Sequence, residues 1–257
     1  MTRVISGAAL AAAALAAILF LPLIGLRVLT CVIAALAAHE YVRVAGAARG
    51  ISQWLLIAAV AATCWLMSIG LPVGTIALLM VALAWVAIEV LVLGRTIHQA
   101  GVSVIAPFYI GVPLGMLVAV HAAAGWRATV LLIATVVVSD SGQYYSGRAF
   151  GRRPLAPAIS PKKTVEGAVG GVILGTAFLA IAGRYVFPTA DPIRLAVLGA
   201  MVVLLGICGD LFESRLKRVA GLKDSSSLIP GHGGVLDRID ALLFAIPAFY
   251  LHLSALG

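Results

Sequence analysis

Apolar runs of about twenty residues follow one another along nearly the whole chain. A helix needs roughly that length to cross the hydrocarbon of a bilayer. Nine segments qualify, near residues 4–26, 28–46, 53–70, 72–94, 102–122, 127–146, 165–187, 193–212 and 237–256. Hydrophobic residues make up 62% of the 257 and charged ones 11%, against about 25% charged in a soluble domain. Disorder is excluded, because it needs low hydrophobicity and high charge. A water-soluble globule lacks the polar side chains for its surface. A nucleic-acid partner is not expected, in spite of a net charge of +8. The expected fold is an all-α polytopic integral membrane protein of about nine transmembrane helices, with an uncleaved first helix. Cys31, Cys64 and Cys208 lie in apolar runs without metal-ligand spacing, and read as buried free thiols.

Charge sorting supports the count. With nine spans, fourteen of the eighteen Lys and Arg fall on one side of the membrane and four on the other. By the positive-inside rule the N-terminus is cytoplasmic. Two connections are long, about 147–164 and 213–236, and both fall on the basic side. Long polar loops on one face are where a membrane enzyme meets a soluble substrate. Gly167, Gly171 and Gly175 form a strip at intervals of four. Such a strip serves a dimer contact or packing within the bundle.

The stretch from Asp210 to Asp240 holds five of the ten acidic residues: Asp210, Glu213, Asp224, Asp237 and Asp240. It also holds Arg215, Lys217, Arg218, Lys223, His232 and Arg238. Asp210 ends an apolar run, and Asp237 opens the next. Carboxylates from two helix ends make a hard-oxygen site of the kind Mg²⁺ takes with water and phosphate. Interfacial salt bridges and helix capping are the plainer alternative. Pro230-Gly-His-Gly-Gly234 lets a backbone approach a ligand and offers N–H groups to phosphate. In the earlier loop, Ser160-Pro-Lys-Lys163-Thr164 places hydroxyls around two lysines. That pattern suits phosphate oxygens, or anionic lipid head groups. Asp140 stands at a helix C-terminus against the dipole preference, which points to a bound cation or an Arg partner.

At these residues the chain resembles the phosphatidate cytidylyltransferase (CDP-diacylglycerol synthase) family. The motif reads Ser214-Arg-Leu-Lys217-Arg218, Lys223-Asp224, Pro230-Gly-His232-Gly233-Gly234, then Val235-Leu-Asp237-Arg238-Ile-Asp240. The earlier loop is similar to the family's as well, except for Ser141 and Gln143 in the Asp140-Ser-Gly-Gln-Tyr144 stretch. The resemblance covers the C-terminal half. It implies cytidylyl transfer from CTP to phosphatidate, giving CDP-diacylglycerol and pyrophosphate. It implies Mg²⁺ at Asp210 and Asp237, an inner-membrane enzyme facing the cytoplasm, and a homodimer. With this chemistry, Asp210, Lys223 and Asp237 carry the reaction. Ser160, Lys163, Thr164, Ser214, Lys217, Arg218, His232, Gly233, Gly234 and Arg238 bind substrate. Asp140, Glu213, Asp224 and Asp240 support them. One membrane-embedded domain is expected, with 1–125 as scaffold and 126–257 as the reacting part. A CTP-dependent polyprenol or lipid kinase, another lipid nucleotidyltransferase, and an anion transporter are the rival readings. The transporter would need charges in mid-span, where Glu40 and Glu89 are the main examples.

Overall fold

The structure is a computed structural model describing residues 2–46, 50–69, 82, 84–229, 231 and 233–254. Its helices are α1 (Thr2–Phe20), α2 (Leu23–Ala45), α3 (Ile51–Ser68), α4 (Ile97–Ala106) and α5 (Val112–Phe150). After a hairpin of β1 (Pro154–Ala156) and β2 (Ser160–Thr164) come α6 (Val165–Val186), α7 (Pro192–Val219) and α8 (Leu236–Ser254). Wider π-helical turns occupy Ile88–Val92 and Pro107–Gly111. The fold is that of an all-α membrane protein. In lipid each backbone polar group must be paired within its own segment, which helices do. Among the described residues five stretches are long and apolar enough to cross a membrane: Leu23–Ala45, Ile51–Ser68, Gln99–Phe150, Val165–Val186 and Pro192–Val219. Of the expected 72–94 span, residues 72–81 and 83 lie outside the described residues.

Several boundaries differ from the sequence reading, each for a local reason. The first apolar run breaks at Pro22, which stands as the extended N-cap of α2 (φ −63°, ψ 156°). Proline has no N–H for an interior helix turn. Helix α7 runs on to Val219, so Glu213, Ser214, Lys217 and Arg218 are helical rather than in a loop. The i, i+4 pair of Glu213 and Lys217 favours that extension. The Pro-rich segment after α5 is an antiparallel hairpin, pairing Pro154 with Thr164 and Ala156 with Ser160. The expected break between the 102–122 and 127–146 spans is present at Gly125, whose φ of 76° and ψ of −179° interrupt α5.

The chain divides into two compact units. The first joins Met1–Ala119 to Val219–Arg238. In it, Ala34, Ala37 and Ala38 of α2 are wholly buried, as are Leu56 and Val60 of α3. Tyr41 donates its hydroxyl to the Val102 carbonyl at 2.9 Å. The second unit joins Val120–Arg218 to Ile239–Gly257. Its core includes Leu179 of α6, Leu195 and Val202 of α7, and Ile246 and Phe249 of α8. Ile173, Ile181, Val197 and Leu204 point outward instead, as lipid-facing side chains do. The glycine strip of α6 is taken up inside this unit. A Cβ on Gly171 would meet the Ser139 carbonyl at 2.9 Å, and one on Gly175 the Ser139 Cβ at 3.0 Å. Small residues therefore let α6 lie directly on α5. Cys64 is buried and Cys31 half-buried, but Cys208 is exposed, contrary to expectation.

Candidate functional site

In the second unit the end of α5, strand β2, the start of α6 and α7 enclose a cavity of about 580 Å³. Its walls carry Asp140, Arg148, Ser160, Lys162, Lys163, Thr164 and Asp210, together with Gln143 and Tyr144. Five of these, Asp140, Ser160, Lys163, Thr164 and Asp210, are site residues expected from sequence. Gln143, Tyr144, Arg148 and Lys162 line it too, with Gly147, Gly167 and Ala168.

The hairpin sets the lysines in place. Glu166 holds its base, accepting hydrogen bonds from the Arg152 and Arg153 N–H groups at 3.0 and 3.2 Å. Arg218 of α7 donates Nε–H to the Ile159 carbonyl at 3.2 Å, securing the hairpin turn. Lys163 then forms an ion pair with Asp210 in the cavity. Their side chains are 23% and 30% exposed, so solvent and ligands reach both. Ser214, one turn along α7, donates to the other oxygen of Asp210 at 3.4 Å. Gln143 donates to Asp140 Oδ1 at 3.0 Å. Thr164 has a structural task, since its hydroxyl accepts from Gly167 N–H at 3.1 Å and caps α6. Lys217 pairs with Glu213, whose side chain is 1% exposed. Asp240 lies within electrostatic range of Asp210, Lys217 and Asp140.

The cavity suits a phosphate group. Arg148, Lys162 and Lys163 bring positive charge, and Ser160 a hydroxyl. Asp140 and Asp210 supply hard oxygens for a divalent cation. Among the described residues no group of three or more His, Cys, Asp or Glu is gathered around a metal position. Mg²⁺ does not require one, because it binds through one or two carboxylates and fills its shell with water and substrate phosphate.

The first unit holds the second carboxylate centre. After α7 the loop exposes Lys223 and Asp224, and Arg238 is exposed in the first turn of α8. Asp237 sits in the first turn of α8. Its Oδ2 accepts from Ser225 N–H at 2.9 Å, Gly234 N–H at 2.7 Å and Ser225 Oγ at 2.8 Å. The Gly234 N–H, expected to face phosphate, is therefore committed to Asp237. Ile229 N–H donates to the Gly233 carbonyl at 2.8 Å, closing a narrow turn in which Gly233 has φ 80°. His232 lies outside the described residues.

Sequence reasoning did not anticipate what holds this loop. Glu40 of α2 is 2% exposed. Its Oε1 accepts from Ser226 Oγ at 2.7 Å and Val235 N–H at 3.0 Å. Its Oε2 accepts from Ser225 Oγ at 2.9 Å and Leu236 N–H at 2.8 Å. A hydroxyl has one hydrogen to donate, so Ser225 serves Glu40 or Asp237 at any moment. The available signal was an acid inside an apolar span, costly unless partnered.

The fold is helical and of the membrane class, and its cavity brings basic side chains beside carboxylates. The cytidylyltransferase family model matches residues 1–256, and the chain belongs to that family. It is 48% identical over 131 residues to a phosphatidate cytidylyltransferase of Pseudomonas aeruginosa, covering 49% of this chain and 48% of the relative. Phosphatidate cytidylyltransferases of Aquifex aeolicus and Bacillus subtilis are 43% identical over 125 residues and 36% over 161. Those matches cover 49% and 62% of this chain, and 46% and 60% of the relatives. The chain thus spans about half the length of the curated relatives it matches.

Proposed function

We propose that this chain transfers the cytidylyl group of CTP to phosphatidate, giving CDP-diacylglycerol and pyrophosphate. The observation that carries the reading is the 580 Å³ cavity where Lys163 and Asp210 meet beside Ser160, Lys162 and Arg148. Family membership and the names of the relatives support the choice of nucleotide and lipid.

A phosphate monoester has its second pKa near about 6, so phosphatidate is largely dianionic at neutral pH. Its oxygen attacks the α-phosphorus of CTP, and the bond from that phosphorus to the β-phosphate oxygen breaks. The electron pair leaves with pyrophosphate, and no strong general base is required. The protein's task is positioning and charge stabilisation. Lys163, Lys162 and Arg148 bind phosphate oxygens, and Ser160 orients one of them. Arrival of that anion draws Lys163 away from Asp210. Asp210 in the second unit and Asp237 in the first are each proposed as a carboxylate able to hold Mg²⁺, and the cation, when bound, would neutralise charge on the polyphosphate. The hydrogen bonds on Asp237 Oδ2 orient its carboxylate, as outer partners of metal ligands do. Lys223 on the loop and Arg238 at the start of α8, both exposed, attract the triphosphate.

Nine spans with a cytoplasmic N-terminus, in the inner membrane, are the proposed topology. The loop after α5 and the one after α7 then meet CTP in the cytoplasm. The homodimer is carried as a proposal too, through a face other than the filled glycine strip. The deciding experiment incubates purified full chain with labelled CTP, Mg²⁺ and a panel of phosphatidate, polyprenol and diacylglycerol. Label in a CDP-lipid with phosphatidate alone, with one pyrophosphate per product, is the expected result. Phosphorylation of an alcohol would instead mark a lipid kinase.

A further inference from the structure

We infer that Glu40 is a positioning residue for the proposed nucleotide-binding loop, holding Ser225, Ser226, Val235 and Leu236 and through them Asp237. This rests on the cytidylyl-transfer reading for its kinetic consequence, and on geometry alone for its structural one.

Each oxygen of Glu40 accepts one hydroxyl and one backbone N–H. The two backbone donors, Val235 and Leu236, are the residues immediately before Asp237. The two hydroxyls, Ser225 and Ser226, lie at the other end of the loop. One buried carboxylate therefore ties both ends of the segment to α2. Ser225 links it onward, because its hydroxyl reaches Asp237 Oδ2 at 2.8 Å as well. Gly234 fits the same arrangement. A Cβ there would collide with Ser225 Oγ and with the Glu40 carboxylate. The second glycine of the Gly-Gly turn is thus required by Glu40, apart from any phosphate it approaches.

An amide cannot replace this carboxylate. Either orientation of a glutamine puts its NH₂ against a backbone N–H, at Val235 or at Leu236. Two measurements on Glu40→Gln in the purified full chain test the inference. Amide hydrogen exchange at Val235 or Leu236 is expected to speed at least about tenfold, with α6 unchanged, one lost hydrogen bond being worth that factor. The KM for CTP is expected to rise about tenfold or more, while the KM for phosphatidate stays within about twofold. Loss of folded protein alone would lower apparent kcat and leave both KM values in place. Unchanged exchange, or faster exchange with an unchanged KM for CTP, overturns the inference. If wild-type protein has no CTP-dependent activity, the functional reading fails and the exchange comparison decides the positioning of the loop by itself. If Glu40→Gln does not accumulate, Ser226→Ala removes one donor to Oε1 without touching α2. It should move exchange at Val235 and the KM for CTP in the same direction by about threefold, and no movement in either overturns the inference.

Discussion

Asp210 of the second unit and Glu40 of the first hold their negative charge in different ways. In the second, Asp210 lies beside a lysine in an open cavity and remains 30% exposed. In the first, Glu40 is 2% exposed and its four donors are neutral N–H and O–H groups. A flexible ammonium can leave its partner for an incoming phosphate. Backbone amides cannot, so a carboxylate they hold keeps its place whatever binds nearby. The first arrangement suits a group that must respond to substrate, and the second suits a framework. Asp237 combines both, with an amide-held oxygen on a side chain proposed to meet the metal.

Substitutions at the carboxylates should show the contrast most strongly. Asp210→Asn and Asp237→Asn are both expected to lose at least about 10³-fold in CTP incorporation, on the scale of losing electrostatic stabilisation of developing charge. They should leave loop exchange near normal, because the amide oxygen introduced by Asp237→Asn still accepts the same three hydrogen bonds. Asp237→Ala should abolish activity and also speed exchange at Ser225 and Gly234. Equal exchange in the two Asp237 variants would dissolve the distinction between framework and site. Lys163→Met removes a charge-assisted contact of about 1.5–3 kcal/mol, so kcat/KM should fall about 10–100-fold. Loop exchange should not change with it, since the ion pair it breaks is to Asp210 of α7. Gly234→Ala overpacks the Glu40–Ser225 contact, at a cost of about 1–3 kcal/mol. Its activity should drop about tenfold with faster exchange at Ser225 and Leu236, whereas Lys163→Met lowers activity without that change. Thr164→Ala loses the α6 cap, about 1 kcal/mol or about fivefold in the folded-to-unfolded ratio. Thermal unfolding followed by far-UV circular dichroism would read that change.

Membrane class was legible because composition alone decides it, and the cavity was legible because Ser160, Lys163, Thr164 and Asp210 sit in short recognisable runs. Helix ends were read less well. The α7 extension rests on pairs one turn apart, Asp210 with Ser214 and Glu213 with Lys217, which a search for apolar runs passes over. The hairpin escaped because Ser-Pro-Lys-Lys-Thr has little of the β-branched character that marks a strand. Glu40 was noticed as a charge in an apolar span and weighed only as a mark of transport. Its partners lie 185 to 196 residues away, and nothing local in a single chain announces such a pairing.

That separation has a consequence for how the protein is made. Ribosomes add about 5–20 residues per second, so the 185 residues between Glu40 and Ser225 take about 10–40 s to synthesise. Helix α2 therefore enters the bilayer carrying an acid whose permanent neighbours do not yet exist. Until they emerge, Glu40 has none of its four donors, and the hydrogen bonds that hold it form only when the late loop arrives.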